Sequence, residues 1–286
     1  MRVGSLQIGV NTYGLVKPLS ADFDRCITRM KMGGVSHLEP CIMFPVKQGA
    51  YWKFACWLVE KASLSGGIWQ YSEAGTYAAR LRNQGMDVAG AHIFPIPLTS
   101  LNLEAIVPSL ISCAKELGLR YYVISQSSTN PKKIREFTQQ LRKAHSMLKA
   151  EGIELLLHNH DWEFQKLDDR SILDMVLDEI PELGLELDVG WAEFGGVGAI
   201  AAMEKYAERI SIVHLKDYTA DAPGDRKSLH FKAIGEGCLN LSSVLRRSEE
   251  MNLLVPELVI DQDRSDADIL DDVIVGAQNI CCLGKE

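Results

Sequence analysis

From Ile153 to Asp217 the chain reads IELLLHNHDWEFQKLDDRSILDMVLDEIPELGLELDVGWAEFGGVGAIAAMEKYAERISIVHLKD. Three short runs rich in Ile, Leu and Val stand out, at Ile153–His158, Gly184–Asp188 and Ile210–Leu215. Runs of this length, apolar almost throughout, are what strands covered on both faces look like. Each carries ionisable residues at its C-terminal end, and helical segments fill the gaps between them. The same alternation extends outward, with strand candidates at Leu6–Val10, Val35–Glu39, Asp87–His92, Arg120–Ser125 and Leu254–Ile260.

The intervals carry helix signals. Ser20 is placed to cap a helix whose Phe23, Cys26, Ile27 and Met30 share one face and which Gly33 and Gly34 stop. Asn130 followed by Pro131 opens another, with Ile134, Phe137, Leu141 and Leu148 on one side and Gly152 beyond its end. Ser265 and Asp268 resemble a capping box ahead of Ile269, Leu270 and Val273. Eight strands, each followed by a helix, in 286 residues are best closed into a (β/α)8 TIM barrel of the α/β class. An open doubly wound sheet usually has a Gly-rich turn after its first strand, and here that turn reads Asn11-Thr-Tyr-Gly. Pro108 inside the third helix pattern and Pro256 within strand eight are local misfits.

No repeat, low-complexity tract or linker divides the chain, so residues 1–286 read as a single TIM-barrel domain. One connection is long. The segment 40–71 after strand two carries Phe44, Tyr51, Trp52, Phe54, Trp57 and Trp69. Emerging on the C-terminal face, it is expected to cover the barrel mouth, as a lid or as a contact between copies in a homo-oligomer. Trp52, Trp57 or Trp69 would then face the substrate or the neighbour.

The formal net charge of −8 argues against nucleic acid and anionic membrane as partners, since both need clustered Lys and Arg. Seven scattered cysteines form no C-x-x-C pair and fit reduced thiols. No apolar run matches a signal peptide or a membrane span, so a cytoplasmic protein is expected.

Polar residues gather where a barrel would place them around one mouth. Strand two ends in Glu39, strand three in His92 and strand five in His158-Asn-His160. Strand six ends in Asp188, strand seven in His214-Leu-Lys216-Asp217, and strand eight carries Glu257. Two imidazoles and two carboxylates converging there suit one divalent cation, Mn²⁺ foremost, with Mg²⁺, Co²⁺ and Zn²⁺ as alternatives. His92 and His160 are candidates for substrate contact or acid–base work, and Glu39 and Glu163 for orienting them or contacting hydroxyls. Lys216 is placed to stabilise an enolate oxygen or to form a rim salt bridge with Asp217 or Asp188. Trp191 suits stacking on a sugar face. Gly235-Glu236-Gly237 reads as a tight turn.

Leu155–Phe164 (LLLHNHDWEF), Leu187–Trp191 (LDVGW), Val213–Asp217 (VHLKD), Ile234–Gly237 (IGEG) and Glu257 together resemble the xylose isomerase-like TIM barrels. That superfamily holds sugar phosphate isomerase/epimerase-type proteins, ketose 3-epimerases, inosose dehydratases and endonuclease IV. The resemblance implies a metal held at the ends of strands five to eight, by His158, Asp188, His214 and Glu257. It implies an enzyme that moves a proton next to the carbonyl of a keto-sugar or related polyol through an enediolate, with Glu257, His160 and Lys216 as catalytic groups. Ketose 3-epimerases carry Glu where this chain has His158, which weakens a two-glutamate mechanism and keeps a β-eliminating dehydratase or lyase as the alternative. Those enzymes and endonuclease IV also carry His where this chain has Trp191, so a trinuclear phosphodiesterase site lacks a ligand. A non-catalytic sugar-binding subunit is the remaining alternative.

Overall fold

The computed structural model describes residues 2–3, 6–44, 66–94, 103–222 and 224–283. Eight barrel positions are filled by β1 (Leu6–Asn11), β2 (His37–Glu39, resuming as Cys41–Met43), β3 (Asp87–Val88, resuming as Gly90–Phe94) and β4 (Tyr121–Ser125), then β5 (Glu154–His158), β6 (Gly184–Asp188), β7 (Ile210–Leu215) and β8 (Glu257–Ile260). Neighbours pair in parallel in chain order, and β8 returns to β1 with Glu257 opposite Gln7 and Ile260 opposite Val10. The sheet therefore closes on itself, with helices outside, as the sequence predicts. No helix among the described residues is long and apolar enough to cross a membrane.

The interruptions have local causes. Proline has no N–H for the ladder, so β2 breaks at Pro40, whose carbonyl still accepts from the His92 N–H at 2.9 Å. Beyond Glu39, where β1 has ended, a short strand Ile68–Gln70 lies parallel to Cys41–Met43. The inserted segment thus rejoins the sheet before the next helix. The readings of Tyr51, Trp52, Phe54 and Trp57 lie outside the described residues. Trp69 corrects its expectation: it is fully buried, stacks on Tyr77 at 5.6 Å and donates to the Gly66 carbonyl, so it packs the core and does not face the mouth.

Three further expectations shift. Asp22, not Ser20, caps the helix Phe23–Gly33, its carboxylate accepting from the Arg25 N–H; Ser20 instead bonds back to the Val16 carbonyl. A carboxylate also answers the helix dipole, which a hydroxyl does not. Asp268 is itself the cap of the last helix, accepting from Leu270 and Asp271 N–H. Pro108 lies inside the helix Leu103–Leu117 on its exposed side, where water can satisfy the carbonyl it frees. Asn130 caps Pro131–Lys149 as predicted.

The main apolar core lies between strands and helices, and a smaller cluster of Tyr121, Val123, Leu156, Ile212, Val255 and Val259 packs separately from it. Side chains two apart on a strand share a face, so above Leu156 comes His158, and above Ile212 come His214 and Lys216. An apolar floor below and ionisable groups above is the layout that positions the site.

Candidate active site

Four strands deliver ligand-type atoms to one place. His158 from the end of β5, Asp188 from β6, His214 from β7 and Asp261, the residue after β8, bring them within 4.8 Å of one another, all buried. Asp188 Oδ1 caps the next turn by accepting from the Trp191 N–H at 2.8 Å. Its Oδ2 and His214 Nδ1 are buried with no hydrogen-bond partner, and that Nδ1 lies 3.7 Å from Asp261 Oδ2. An orphaned oxygen and an orphaned nitrogen, set beside His158 and Asp261, fit a divalent cation. Burial pushes the Asp188 carboxyl up to about 8, despite Lys216 nearby, and a cation would reverse that.

Glu257 is not in this group. It opens β8 instead of ending it, opposite Gln7. Four residues of strand separate it from Asp261, about 13 Å along the chain. Its side chain lies over Gly9, where an added Cβ would stand 1.9 Å from Glu257 Oε1. Burial first, then the charge of Glu39, pushes this carboxyl up to about 8. The sequence reading starts β8 at Leu254, but Pro256 lies outside the ladder and offers only its carbonyl, to Gln7 N–H. Asp261, which the sequence reading lacks, directly follows β8, whereas Glu257 opens it. The signal was available: Asp188 directly follows the last apolar residue of its run, as Asp261 follows Ile260.

Beneath the mouth lies a carboxylate–imidazole network. Glu186 accepts from His158 Nδ1 and from His92 Nε2, both at 2.9 Å, and stands 3.1 Å from His214 Nε2. Glu39 accepts from His214 Nε2 at 3.0 Å and from Asn11 and Tyr121, and lies 3.0 Å from His92 Nε2. Burial alone would raise Glu186, but His214 and His92 hold it well below the usual carboxylate value. Burial would likewise lower His92, yet Glu186 and Glu39 raise it to about 9. His158 is the opposite case, since burial outweighs its single carboxylate and lowers it to about 4. Glu186 was missed in the sequence. Its signal is a charge inside the otherwise apolar run GLELD, two residues before Asp188 and so on the same face.

A cavity of about 450 Å³ opens above, reached by His92, His158, Asp261 and Trp191. His160 lines it and stacks on Trp162 at 4.1 Å; burial lowers it to about 4, so it is neutral. Glu163 does not reach the cavity. Its carboxylate accepts from the His160 N–H at 2.7 Å, and burial raises it to about 8. Lys216 is buried with its ammonium 2.9 Å from both Asp261 and Asp263, and 3.9 Å from Asp188. These acids outweigh burial and raise its pKa. Asp217 is not its partner. It accepts from the N–H groups of Tyr218, Gly235, Gly237 and Leu239, which pins the turn after Ala233; Gly235 there has φ +91°.

An unforeseen antiparallel hairpin, Asp217–Ala220 with Leu229–Lys232, builds one wall. It brings Phe231 against Trp191 and carries Arg226 at its tip. The Arg226 guanidinium lies 4.5 Å from the Trp162 ring and 4.6 Å from Trp191, and is ion-paired with Asp161.

The model of the xylose isomerase-like TIM barrel family matches residues 64–272, most of the chain, and the protein belongs to that family. No curated protein sequence is significantly similar to it. Among solved structures it resembles a sugar phosphate isomerase/epimerase from Parabacteroides distasonis ATCC 8503, with 18% identity and TM-score 0.72 over 96% of this chain and 95% of that one. It also resembles a xylose isomerase-like TIM barrel protein from Mycobacterium smegmatis in complex with magnesium, with 16% identity and TM-score 0.68 over 99% and 98%. A probable 3-DHS dehydratase from Bacillus anthracis shows 12% identity and TM-score 0.64 over 96% and 99%. At these identities the likeness is one of fold.

Proposed function

We propose that this protein is a divalent-metal-dependent enzyme of the sugar isomerase/epimerase type, acting on a keto-sugar or related polyol. The observation that carries the reading is the meeting of His158, Asp188, His214 and Asp261, of which His158 and Asp261 line a cavity walled by indole rings. These four would hold one cation, with Mn²⁺ or Mg²⁺ as suited to the set as Zn²⁺ or Co²⁺. When bound, the cation would act as a Lewis acid toward the carbonyl and adjacent hydroxyl, making the C–H between them acidic.

The chain's own groups divide the remaining work. His160 is neutral at pH 7 and lines the cavity, so it is our candidate for the base that takes the carbon-bound proton. Lys216 keeps its proton, and its ammonium offsets negative charge that develops on substrate oxygen. Trp162 and Trp191 wall the cavity and exclude water. Arg226, clamped between them, supplies fixed donors for hydroxyls. Glu257, one end of a strand away, is no longer a candidate base. A cytoplasmic location and a homo-oligomer complete the reading.

Dehydration is the second reading, and one observation favours it. Among the described residues the cavity presents His158 where a paired glutamate would serve the opposite substrate face. A lone base removes a proton and has no partner to return one from the other side, which leaves loss of a β-hydroxyl open. Incubating metal-loaded protein with keto-sugars and keto-inositols in D₂O tests both readings by NMR. Deuterium next to the carbonyl without loss of oxygen indicates isomerase or epimerase chemistry, and loss of a hydroxyl indicates a dehydratase. Absence of exchange and of product across the panel would overturn both.

A further inference from the structure

We propose that Glu186 is the positioning residue of the metal centre: by taking the Nδ1–H of His158 it leaves that ring's other nitrogen for the cation. The inference rests on the metal reading above.

An ionised carboxylate only accepts hydrogen bonds, so a ring nitrogen held against it must carry the proton. Glu186 Oε2 lies 2.9 Å from His158 Nδ1, and Glu186 Oε1 lies 3.1 Å from His214 Nε2. The lone pair of His158 is therefore left on Nε2. His214 bonds through Nε2 to Glu39, with Glu186 beside it, and its Nδ1 lies on the Asp261 side, 3.7 Å from Oδ2. For His158, Glu186 is the only carboxylate within hydrogen-bond distance among the described residues. Glu186 alone touches all three imidazoles, and it is completely buried, so no water competes for those protons.

The strand supplies the rest of the argument. Glu186 and Asp188 are two apart on β6 and project to the same side. One strand thus carries a ligand at its tip and, one layer below, the group that turns His158 toward it. A buried carboxylate behind a ligating histidine fixes its tautomer and ring orientation and raises its basicity. Glu186 does so for the β5 ligand, while Glu39 holds the β7 ligand.

Two measurements test this. Nitrogen-15 NMR of the histidine rings in metal-free wild type at neutral pH should show His158 as the Nδ1–H tautomer; an Nε2–H tautomer overturns the proposal without any variant having to fold. Calorimetric titration of zinc into chelator-treated protein should give one site, weakened about 10–100-fold in Glu186→Gln and partly restored in Glu186→Asp. Gln keeps the shape but presents an amide whose N–H₂ opposes a ring N–H. Undiminished affinity in a folded Glu186→Gln overturns the positioning role while leaving the functional reading intact. Two zinc ions in wild type falling to one in the variant also overturns it, since Glu186 is then a ligand. A wild type that takes up no zinc, manganese or magnesium overturns the metal reading itself.

Discussion

Glu257 shows how much a single side chain's height in the barrel decides. At the base of β8 it is a buried, protonated acid with Oε2 unpartnered and His37 Nδ1 3.9 Å from Oε1. Its folded pKa, about 8, lies above the free value of 4.5, so ionisation disfavours the fold. The stabilising contribution is complete below about pH 4.5 and is lost as pH rises through 8. Glu257→Gln keeps the shape and cannot ionise. We expect it to melt near wild type at pH 5 and above wild type at pH 8.5, with metal content unchanged. Equal melting shifts at both pH values would show that Glu257 is ionised in the fold. The substitution at the other end of the strand should behave oppositely: Asp261→Asn is expected to lose metal affinity at least tenfold while melting within a few degrees of wild type, as titration calorimetry and thermal scans can show.

Elements were legible in the sequence where packing dictated them. Strands buried on both faces, such as Tyr121–Ser125 and Gly184–Asp188, declare themselves through unbroken apolar runs. Asn130-Pro131 fixed a helix start because cap chemistry is local. What failed was non-local. Nothing within Leu254–Ile260 says where pairing with β1 begins: the strand ends at Ile260 as expected but opens at Glu257, which puts that acid at its start and Asp261 just beyond its end. The hairpin Asp217–Ala220/Leu229–Lys232 was missed for the same reason, since its organiser, the Asp217 carboxylate, acts on N–H groups up to 22 residues away. That hairpin yields a prediction. Asp217→Asn replaces a carboxyl group that accepts from four N–H groups by an amide with one acceptor oxygen, leaving donors unmatched. A loss of about 2–3 kcal/mol in urea unfolding is expected, together with a raised KM, because Phe231 and Arg226 lose their anchor. Asn130→Ala, which removes a helix cap and does not line the cavity, should cost about 1 kcal/mol and leave KM unchanged.

For the whole molecule, the two ends of the barrel divide stability from chemistry. The floor is apolar and the helices pack on the outside of the strands, so neither needs the residues at the mouth. The mouth instead concentrates Asp188, Asp261 and Asp263 around one buried ammonium, and their mutual repulsion is a burden that a divalent cation relieves. Metal removal should therefore leave far-ultraviolet circular dichroism unchanged while lowering the melting temperature. A ligand that binds only the folded state at one hundred times its Kd adds about 2.7 kcal/mol, which for a chain of this length is about 5–8 °C. Chelator-treated protein titrated with Mn²⁺ should show that rise. His214→Ala should abolish it, because this ring contributes to the mouth group and ties it to the network below. Glu257→Gln should preserve it in full, because Glu257 lies at the other end of its strand. A rise that survives His214→Ala would place the stabilising cation elsewhere on the protein, and a chelator-treated protein that loses its circular dichroism would show that the mouth holds the barrel together after all.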